Sequence, residues 1–348
     1  MNSIKSIIRK TIPIPCGPRP LFNINKINIL KKVGENKTLL NLGKKNRDKT
    51  FYVIRRSPGA GFFSNLILIL NHLKICEKKK YIPVIDMENF TTIYNEKKLI
   101  NNTFNAWEYY FKNVSTYNLE EVYKSQNVII SPNKIVHNME HWPNKHLEFK
   151  KIYNKYIKVN KGVKKILEKY LKKLSFKNKK ILGVHFRGTS YKTSPGHALP
   201  ATIEQIIKHS EYLLNKYKFE KIFLVTEELN YQQKLKNHFG NKLISINSFR
   251  SNRDDAFLKY PRNLHRYKLG LESIIEAFLL SKCSGVFYVS SNLVHAANLI
   301  SENNQSLFEL FNGWNSKNHY IAKFNWYIKK NLPKKFFGLK DILLKNNI

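Results

Sequence analysis

Residues 51–86 contain the stretch on which the fold depends: FYVI at 51–54, the turn SPGAG at 57–61 and IPVID at 82–86. FYVI and IPVID are short, apolar and rich in β-branched residues, which is typical of buried strands. Between them, apolar residues recur at helical spacing from Phe62 to Lys79. Strand, turn, helix and strand in this order predict a βαβ unit, and therefore a parallel sheet.

A second alternating run starts at Lys180. Its predicted strands are 181–186, 222–225 and 286–289, and its predicted helices are 202–217, 265–281 and 293–300. Strands that alternate with amphipathic helices indicate a parallel sheet with helices packed on it. The sequence therefore predicts an α/β protein with two Rossmann-like domains that face a central cleft.

The chain is expected to divide into four segments. Prolines and glycine between Pro13 and Pro20 prevent a long helix near the start. Near the end, Phe336 and Phe337 lie among lysines, so this part either lies on a membrane surface or packs back on the body. The predicted segments are a basic irregular segment 1–50, an amino-terminal domain 51–165, a carboxyl-terminal domain 166–325 and a basic amphipathic tail 326–348.

The charge balance limits the partners. The 348 residues include 61 Lys and Arg against 24 Asp and Glu, a formal net charge of +37. Nucleic acid, an anionic membrane surface and an acidic small substrate all fit such a charge. A bias towards A/T-rich codons, which enriches Lys and Asn, is a fourth explanation. Nucleic acid is the least favoured partner, because Lys outnumbers Arg and base readout favours Arg.

Targeting and redox signals favour the cytoplasm. The sequence has no window of 18 apolar residues, so no membrane-spanning helix is expected. The first ten residues are basic but are not followed by an apolar core, which disfavours a secretory signal. Cys16, Cys76 and Cys283 are too few and too widely spaced for a disulfide framework or a metal site, which fits a reducing compartment.

Three motifs are suited to binding an anion, and the first is GAGFFSN at 59–65. It lies between a predicted strand and a predicted helix, so its glycines allow close approach of a ligand and the helix presents free N–H groups. It lacks the third glycine of a dinucleotide-binding fingerprint, which disfavours a nicotinamide dehydrogenase. An ordinary tight turn is the alternative explanation.

The second and third motifs lie at the ends of predicted strands, where open α/β sheets bind ligands. GVHFRGTS at 183–190 places His185 and Arg187 on one face of the strand end. Arg187 is suited to bidentate binding of a phosphate, or it pairs with a carboxylate. Residues 290–292, Ser-Ser-Asn, either cap the helix that follows or bind an anion. Together the three motifs predict a pyrophosphate site.

Two patterns imitate metal sites. HNMEH at 137–141 matches a zinc-protease motif, but prolines on both sides make the helix that the motif needs too short. Asp254 and Asp255 are flanked by Arg250 and Arg253, and ion pairing is the simpler explanation. We therefore expect no metal.

Read together, the motifs resemble the fucosyltransferase superfamily, which includes α-1,6-fucosyltransferases, nodulation fucosyltransferases and protein O-fucosyltransferases. The resemblance covers residues 51–310. It implies a GT-B fold, no metal or other cofactor, and a GDP-sugar donor, usually GDP-fucose, bound mainly by the carboxyl-terminal domain, with the acceptor on the amino-terminal side. It rests on the turn with Asn65, on His185 and Arg187, and on the segments 226–228, 270–280 and 290–292.

The resemblance also implies roles for individual residues. Arg187 corresponds to the arginine that binds the β-phosphate, His185 to the histidine beside the guanine, and Glu276 to the acid that accepts the guanine N1–H and N2–H. The turn at 61–65 corresponds to a loop that closes over the donor, and 290–292 to a phosphate-binding turn. The further donor-binding residues implied are Gly61, Phe62, Asn65, Thr226, Ser290, Ser291 and Asn292.

The chain departs from the family at the general base. Many relatives have an acid where Ser190 stands, and the α-1,6 enzymes have a catalytic Glu near the position of Pro195. The candidates for the base are therefore His197, Glu227 and Asp86. The missing acids keep open a catalytically inactive sugar- or nucleotide-binding protein as an alternative.

The reaction implied by the resemblance is an inverting transfer of a sugar, usually fucose, from GDP to a glycan hydroxyl. Arg187 and the helix after Ser291 would stabilise the leaving GDP. The acceptor is expected in surface-polysaccharide or related glycan assembly on a lipid carrier, at the cytoplasmic face of an anionic membrane. A basic nucleic-acid-binding protein, with strongly salt-dependent affinity, is the alternative from another class.

Overall fold

Two β-sheets, one in each half of the chain, organise the computed structural model, which describes residues 37–55, 61–132, 146–174, 179–302 and 305–346. Strands β2, β3 and β4 of the first sheet are parallel, and β1 runs antiparallel to β4. The order of the sheet is β1-β4-β2-β3. The elements of this half are β1 (Thr38–Leu40), β2 (Lys45–Arg55), α1 (Phe62–Lys79), β3 (Ile82–Asp86), α2 (Leu119–Val122) and β4 (Ser125–Ile130).

The second sheet has the order β10-β9-β8-β5-β6-β7, in which the strands from β9 to β7 are parallel and β10 is antiparallel to β9. Its strands are β5 (Ile181–His185), β6 (Lys221–Val225), β7 (Leu243–Ile244), β8 (Gly285–Tyr288), β9 (Ser306–Phe311) and β10 (Ile342–Asn346). The helices after the first sheet are α3 (His146–Tyr156), α4 (Lys161–Lys173), α5 (Ile203–Tyr217), α6 (Leu229–Phe239), α7 (His265–Leu280), α8 (Asn292–Ile300) and α9 (His319–Lys329).

The path of the chain through the second sheet creates a switch point. The chain proceeds outwards from β5 through β6 to β7, and then returns to place β8 on the opposite side of β5. The connections after β5 and β8 therefore leave the sheet in opposite directions. In open α/β sheets, a crevice opens at this point beyond the carboxyl ends of the two strands, and ligands bind there.

The predicted βαβ unit and the second parallel sheet are both confirmed. Residues 51–55 are buried and pair in parallel with β3, from Phe51 opposite Ile82 to Arg55 opposite Asp86. A continuous apolar run suits this position, because a central parallel strand is covered on both faces. The α/β class with two sheet-containing units is therefore correct, and it is the arrangement that the resemblance to GT-B enzymes implies.

A shared core joins the two halves. One apolar cluster contains Tyr52 from the first sheet together with Phe223 and Ile274 from the second half. Across the same boundary, the buried Arg266 of α7 donates from Nη1 to the carbonyl oxygen of Ile93 over 2.9 Å. A charged group buried without a hydrogen bond is costly, so this contact favours one relative placement of the halves.

The positions of the elements can be compared with the four predicted segments. Strand β1 and the first part of β2 lie within the segment 1–50 that the sequence predicts to be irregular. Helix α4 crosses the boundary placed between residues 165 and 166, and the four-segment division stays a prediction. The predicted tail contains β10, whose backbone N–H and C=O groups form hydrogen bonds with β9. The tail also contributes Leu339 to a small core with Trp326 and Leu199. The sequence analysis also missed α6, α9 and β9.

The described ranges contain no helix that is both long enough and apolar enough to cross a bilayer. Cys76 and Cys283 are buried free thiols. Cys16 and the HNMEH motif at 137–141 lie outside the described residues.

Candidate functional site

The second and third sequence motifs meet at the switch point of the second sheet. Arg187 follows the carboxyl end of β5 by two residues, and Ser291 caps α8 directly after β8. A hydrogen bond between the two motifs, 2.9 Å from Nε2 of His185 to Oγ of Ser291, shows that they are in contact. The fold therefore unites residues that are about a hundred positions apart in the chain.

His185 is buried and holds this junction together. Its Nδ1 lies 3.3 Å from the carbonyl oxygen of Val225, which requires the proton on Nδ1. Oγ of Ser291 accepts the N–H of Leu293, so its own proton is directed to Nε2 of His185. Burial lowers the pKa of His185 to about 4, which keeps the ring neutral. The imidazole thus fixes the cap of α8, and its contact with guanine stays a prediction.

Arg187 remains accessible at the site. Its side chain is 39% exposed, and Nε lies 3.6 Å from Oε1 of Glu227. Nη2 donates to Oγ of Ser190 over 3.4 Å, and the guanidinium lies 4.4 Å from the ring centroid of Tyr191. These are loose polar contacts for an arginine, so a phosphate would offer it shorter, charge-assisted hydrogen bonds.

Glu227 supports the loop that carries Arg187. Its Oε1 accepts the backbone N–H of Gly188 and the hydroxyl of Thr189, each over 3.1 Å. The neighbouring acid, Glu228, forms a largely buried ion pair with Lys192 at 2.8 Å. The segment after β6, which the sequence analysis selected, is therefore built around the Arg187 loop.

Gly188 is needed for this packing. A Cβ built at Gly188 would lie 1.6 Å from Oε2 of Glu228, far inside the contact distance. Thr226, at the start of the same segment, is buried and its Oγ1 accepts the N–H of Glu228 over 3.2 Å. Thr226 thus shapes the turn, and a donor contact of its side chain stays a prediction.

Two helix N-termini meet at the site. Nδ2 of Asn292 donates to Oγ of Ser64 over 2.8 Å, which joins the first turn of α8 to the first turn of α1. Ser290, on the approach to this cap, is half-buried. Because helix N-termini carry partial positive charge, two of them beside Arg187 form a place for an anion. The N–H groups of Phe62 and Leu293 are already taken by Tyr94 and Ser291, so an anion would be held by the other N–H groups of these turns.

The first turn of α1 is packed against aromatic side chains, and its closing over a donor stays a prediction. Phe62 packs its ring against Tyr94 and Tyr110, with centroids 5.3 Å and 5.1 Å apart, and its N–H donates to Oη of Tyr94 over 2.9 Å. Asn65 is buried, with its Nδ2 on the carbonyl oxygen of Gly61 over 3.3 Å. Gly61 is exposed. Residues 56–60 lie outside the described ranges.

Glu276, on α7, is a buried carboxyl group at the predicted guanine edge. It accepts a 2.8 Å hydrogen bond from Oγ of Ser248, and Arg250 lies nearby with its guanidinium on the carbonyl oxygens of Ile246 and Ser248. Burial raises the pKa of Glu276 to about 7, although Arg250 opposes this shift. The charge of Glu227, whose Oε1 lies 3.6 Å from Nε of Arg187, also contributes to the raised pKa of Glu276.

The three candidate bases are in different situations. Asp86 is completely buried, and its oxygens accept hydrogen bonds from Tyr123, Glu88 and Asn89. The structure therefore does not support Asp86 as a base, since it is occupied in the turn after β3. Glu227 supports the Arg187 loop.

His197 is exposed, with its ring centroid 4.8 Å from that of Tyr191. Partial burial of the ring lowers its pKa, and the charge of Arg187 lowers it further. A neutral imidazole beside the Arg187 loop is able to accept a proton, so His197 is the best placed of the three candidates.

Two residues of the site were not predicted from the sequence, and one was explained incorrectly. Tyr191 lies under the guanidinium of Arg187, and Asp254 is exposed and close enough to Arg187 for their charges to interact. The adjacent acids at 254–255 were the available signal. Asp255 pairs with Lys259 at 2.8 Å, where the sequence suggested pairing with the flanking arginines. Among the described residues, no group of three His, Cys, Asp or Glu is arranged to hold a metal.

Comparison with known proteins gives structural neighbours. No protein-family model and no curated protein sequence matches the chain. NodZ alpha-1,6-fucosyltransferase, soaked with GDP-fucose, superposes with a TM-score of 0.47 at 16% identity, over 75% of this chain and 95% of that chain. All the neighbours compared are fucosyltransferases.

Two further neighbours have lower scores. A mutant of Arabidopsis thaliana FUT1 in complex with GDP has a TM-score of 0.44 at 11% identity, over 76% of this chain and 71% of that chain. POFUT1 in complex with GDP-fucose has a TM-score of 0.41 at 9% identity, over 76% and 99%. The architecture of this chain is established by its own strands and helices.

Proposed function

We propose that the protein is an inverting, metal-independent glycosyltransferase that transfers fucose from GDP-fucose to a hydroxyl group of a glycan. The observation that carries this proposal is the position of Arg187. It stands partly exposed at the switch point of the second sheet, beside the joined first turns of α1 and α8. This arrangement favours a doubly charged pyrophosphate over a singly charged ligand.

The pyrophosphate is held by the chain itself. Arg187 binds the β-phosphate through its guanidinium, and the first turn of α8 after Ser291 offers N–H groups to the phosphate oxygens. When the bond from the anomeric carbon to the β-phosphate oxygen breaks, negative charge grows on that oxygen. A fixed guanidinium and helix N–H groups stabilise this charge without reorganisation, and stabilisation of this kind is usually the largest single contribution to enzymatic rate enhancement.

Glu276 selects the guanine. A carboxylate accepts two hydrogen bonds from the guanine N1–H and N2–H, which a uracil or adenine ring does not offer in this pattern. The buried position of Glu276 strengthens these bonds, because water does not compete for the carboxylate. Ser248 and Arg250 hold the same edge of the pocket.

His197 acts as the general base. Its neutral imidazole removes the proton from the acceptor hydroxyl, and the freed oxygen attacks the anomeric carbon on the face opposite the phosphate. The bond between the acceptor oxygen and the anomeric carbon forms while the bond between the anomeric carbon and the β-phosphate oxygen breaks. The sugar passes through an oxocarbenium-like state. GDP leaves with the electron pair, and the configuration at the anomeric carbon inverts.

We further propose that the acceptor is a glycan or lipid-linked glycan of surface-polysaccharide or related assembly, met in the cytoplasm at an anionic membrane. The net charge of +37 supports this location, because only a few basic side chains are used at the site. Nucleic acid is disfavoured, since it accounts for neither the switch-point residues nor Glu276.

Substitution of Arg187 tests the proposal. Arg187→Ala is expected to reduce GDP-fucose turnover by at least about 100-fold, the scale of losing one preorganised donor to a developing oxyanion. Arg187→Lys should recover part of this, since it restores charge without the bidentate geometry. Arg47→Ala, at an exposed arginine in β2, is the control. Near-normal turnover by Arg187→Ala would contradict the assignment of Arg187 as the group that binds the β-phosphate.

The departures at Ser190 and Pro195 favour a second function, a nucleotide- or sugar-binding protein without turnover. Titration with GDP, UDP and GDP-fucose by calorimetry separates the two. GDP binding combined with GDP-fucose that stays intact in the presence of glycan acceptors would favour the binding protein. Binding of UDP but not of GDP would overturn the role of Glu276.

A further inference from the structure

We propose that the outer face of α9 and the turn at 332–337 form a docking surface for an anionic lipid bilayer. This inference rests on the membrane location proposed above and names the residues that would contact the membrane. Its evidence comes from a surface away from the nucleotide site. The surface is called the α9 patch below, and it consists of Tyr320, Ile321, Phe324, Tyr327, Ile328, Leu332, Phe336 and Phe337.

The inner face of α9 already makes the contacts that attach the helix to the body. Ala322 and Trp326 are buried, and Trp326 packs with Leu199 and Leu339. The indole Nε1 donates to the carbonyl oxygen of Pro200 over 2.9 Å. A surface helix with such an inner face normally has a polar outer face.

The outer face of α9 is apolar instead. With about 100° between successive residues, its five large side chains fall within roughly a third of the helix circumference. Each of them is between 45% and 64% exposed. These side chains are Tyr320, Ile321, Phe324, Tyr327 and Ile328. An apolar face that is this continuous and exposed marks an interaction site.

The turn after α9 extends this face. Leu332, Phe336 and Phe337 are all exposed, and Phe337 reaches 85%. The backbone of Phe337 has a φ of 63°, a left-handed conformation that is unfavourable for a bulky side chain. The ring of Phe337 is therefore exposed, and burial of the ring does not explain why a bulky residue adopts this backbone conformation.

The charges around the α9 patch identify its partner as anionic. Residues 312–346 contain eight lysines and a single acid, Asp341. That acid is already engaged, because its oxygens lie 2.7 Å from Nζ of Lys208 and 2.6 Å from Nε2 of His209. Aromatic side chains interleaved with lysines are the composition of helices that lie in the headgroup region of a bilayer.

Two lysines already lie over rings of the α9 patch. Nζ of Lys330 is 5.8 Å from the ring centroid of Tyr327, and Nζ of Lys335 is 5.3 Å from that of Phe336. Ammonium groups in this position reach lipid phosphates while the rings enter the acyl boundary. A fluid lipid surface suits the patch better than a protein surface, which would require fixed polar partners for specificity.

The α9 patch is physically connected to the proposed site. Nδ2 of Asn315, just before α9, donates to the carbonyl oxygen of Ser194 and to that of Ala322, both over 3.1 Å. The N–H of Gly196 donates to the carbonyl oxygen of Ser316 over 3.0 Å. The loop that carries His197 is thereby tied to the base of α9, so docking would hold this loop close to the lipid surface, where a lipid-linked acceptor lies.

Vesicle co-sedimentation tests the inference with the full chain. Wild-type protein is expected to bind vesicles of phosphatidylcholine and phosphatidylglycerol in a salt-sensitive manner, and to bind pure phosphatidylcholine weakly. The triple variant Ile321→Ser, Phe324→Ser and Ile328→Ser should reduce binding to the anionic vesicles by at least about tenfold, because three apolar side chains no longer enter the bilayer. A matched variant changes exposed leucines elsewhere: Leu39→Ser, Leu147→Ser and Leu258→Ser.

Two measurements keep the result separate from the transferase proposal. GDP binding in solution should be equal for the wild type and the triple variant, so loss of lipid binding alone does not bear on the nucleotide site. Light scattering reports self-association. Failure of the wild type to bind anionic vesicles, equal binding by the triple variant, or a dimer that the triple variant dissolves would each overturn the lipid surface.

Discussion

Nδ2 of Asn292 donates a 2.8 Å hydrogen bond to Oγ of Ser64, and this contact joins the first turns of helices that belong to different halves of the molecule. The positive ends of two helix dipoles are thereby brought close to Arg187, where they repel one another and the guanidinium. An anion relieves this repulsion. The site is therefore expected to gain stability on binding a nucleoside diphosphate, beyond what the surface contacts alone would provide.

Replacement of Asn292 should separate the two helix ends. Asn292→Ala is expected to lower the free energy of unfolding by about 1 kcal/mol, the usual net value of one hydrogen bond, and to weaken GDP binding as well. Chemical denaturation and calorimetry measure the two effects. Asn154→Ala, on the exposed side of α3, is the control and should change neither. Unchanged GDP affinity in Asn292→Ala would show that the contact is structural alone.

Gly188 should tolerate no side chain. In Gly188→Ala the new Cβ would meet Oε2 of Glu228, so the Arg187 loop must shift or the Glu228–Lys192 pair must break. We expect a loss of about 1–3 kcal/mol in unfolding free energy, as for other overpacked sites, together with weaker GDP binding. In Gly162→Ala the new Cβ makes an ordinary contact 3.5 Å from Oδ1 of Asn160, and this variant should be near neutral. Equal behaviour of the two variants would contradict the packing argument.

The affinity for GDP should rise with pH around neutrality. Burial raises the pKa of Glu276 to about 7, and the guanine edge needs the ionised carboxylate. The affinity of the wild type for GDP is therefore expected to increase as pH rises through about 7. Glu276→Gln should bind GDP at least about tenfold more weakly, and the pH dependence that comes from this carboxyl group should disappear. Calorimetric titration with GDP at pH values from about 6 to about 8, on both sides of the pKa of Glu276, measures the affinity. A pH profile that Glu276→Gln leaves unchanged would refute the assignment.

The same carboxyl group affects stability with the opposite sign. Because its pKa is raised on folding, the protonated form favours the folded state. Its contribution is complete below the unfolded pKa of about 4.3 and is lost as pH rises through about 7. Denaturation of the unliganded protein across this range should show a smaller decline for Glu276→Gln than for the wild type.

Acid should destabilise the protein through His185. Burial lowers its pKa to about 4, below the unfolded value, so its contribution to stability is present above the unfolded pKa of about 6.5 and is lost as pH falls through about 4. His185→Leu should lose part of this acid sensitivity, although it also costs the hydrogen bonds to Val225 and Ser291. The exposed His238 provides the control variant His238→Ala, which should keep the wild-type acid profile. An identical profile for His185→Leu would contradict the prediction.

His197 should matter for turnover but not for donor binding. His197→Ala is expected to reduce kcat by about 100-fold or more, the usual contribution of a general base, while GDP binds as in the wild type. The pH profile of kcat should also lose its acidic limb, since the protonated imidazole is the inactive form. Glu227→Gln addresses the rival base, and it should impair GDP binding as well because it loosens the Arg187 loop. Full turnover by His197→Ala would transfer the role to another group.

Local patterns predicted much of the fold because secondary structure is governed by short-range periodicity. The predicted helix from Phe62 to Lys79 and the strand 82–86 coincide with α1 and β3. Short elements such as β1 and β7 were missed, since two or three residues carry no readable period. The candidate site was predictable where its residues stand at strand ends, as Arg187 and Ser291 do. Tyr191 and Asp254 were missed, because neither the packing of a ring against Arg187 nor the approach of Asp254 from a distant segment leaves a periodic signal in the sequence.

The α/β class, the parallel strands of both sheets and the position of Arg187 at a strand end follow from local sequence, because apolar periodicity and strand–helix alternation act over neighbouring residues. Packing between distant segments determined which acids are engaged: Asp86 is completely enclosed, and Glu227 holds a loop. It also decided that the outer face of α9 is exposed, since periodicity marks apolar faces but only packing shows which of them the body covers. Burial depends on contacts between distant segments, and such contacts exist only once the two halves have packed together.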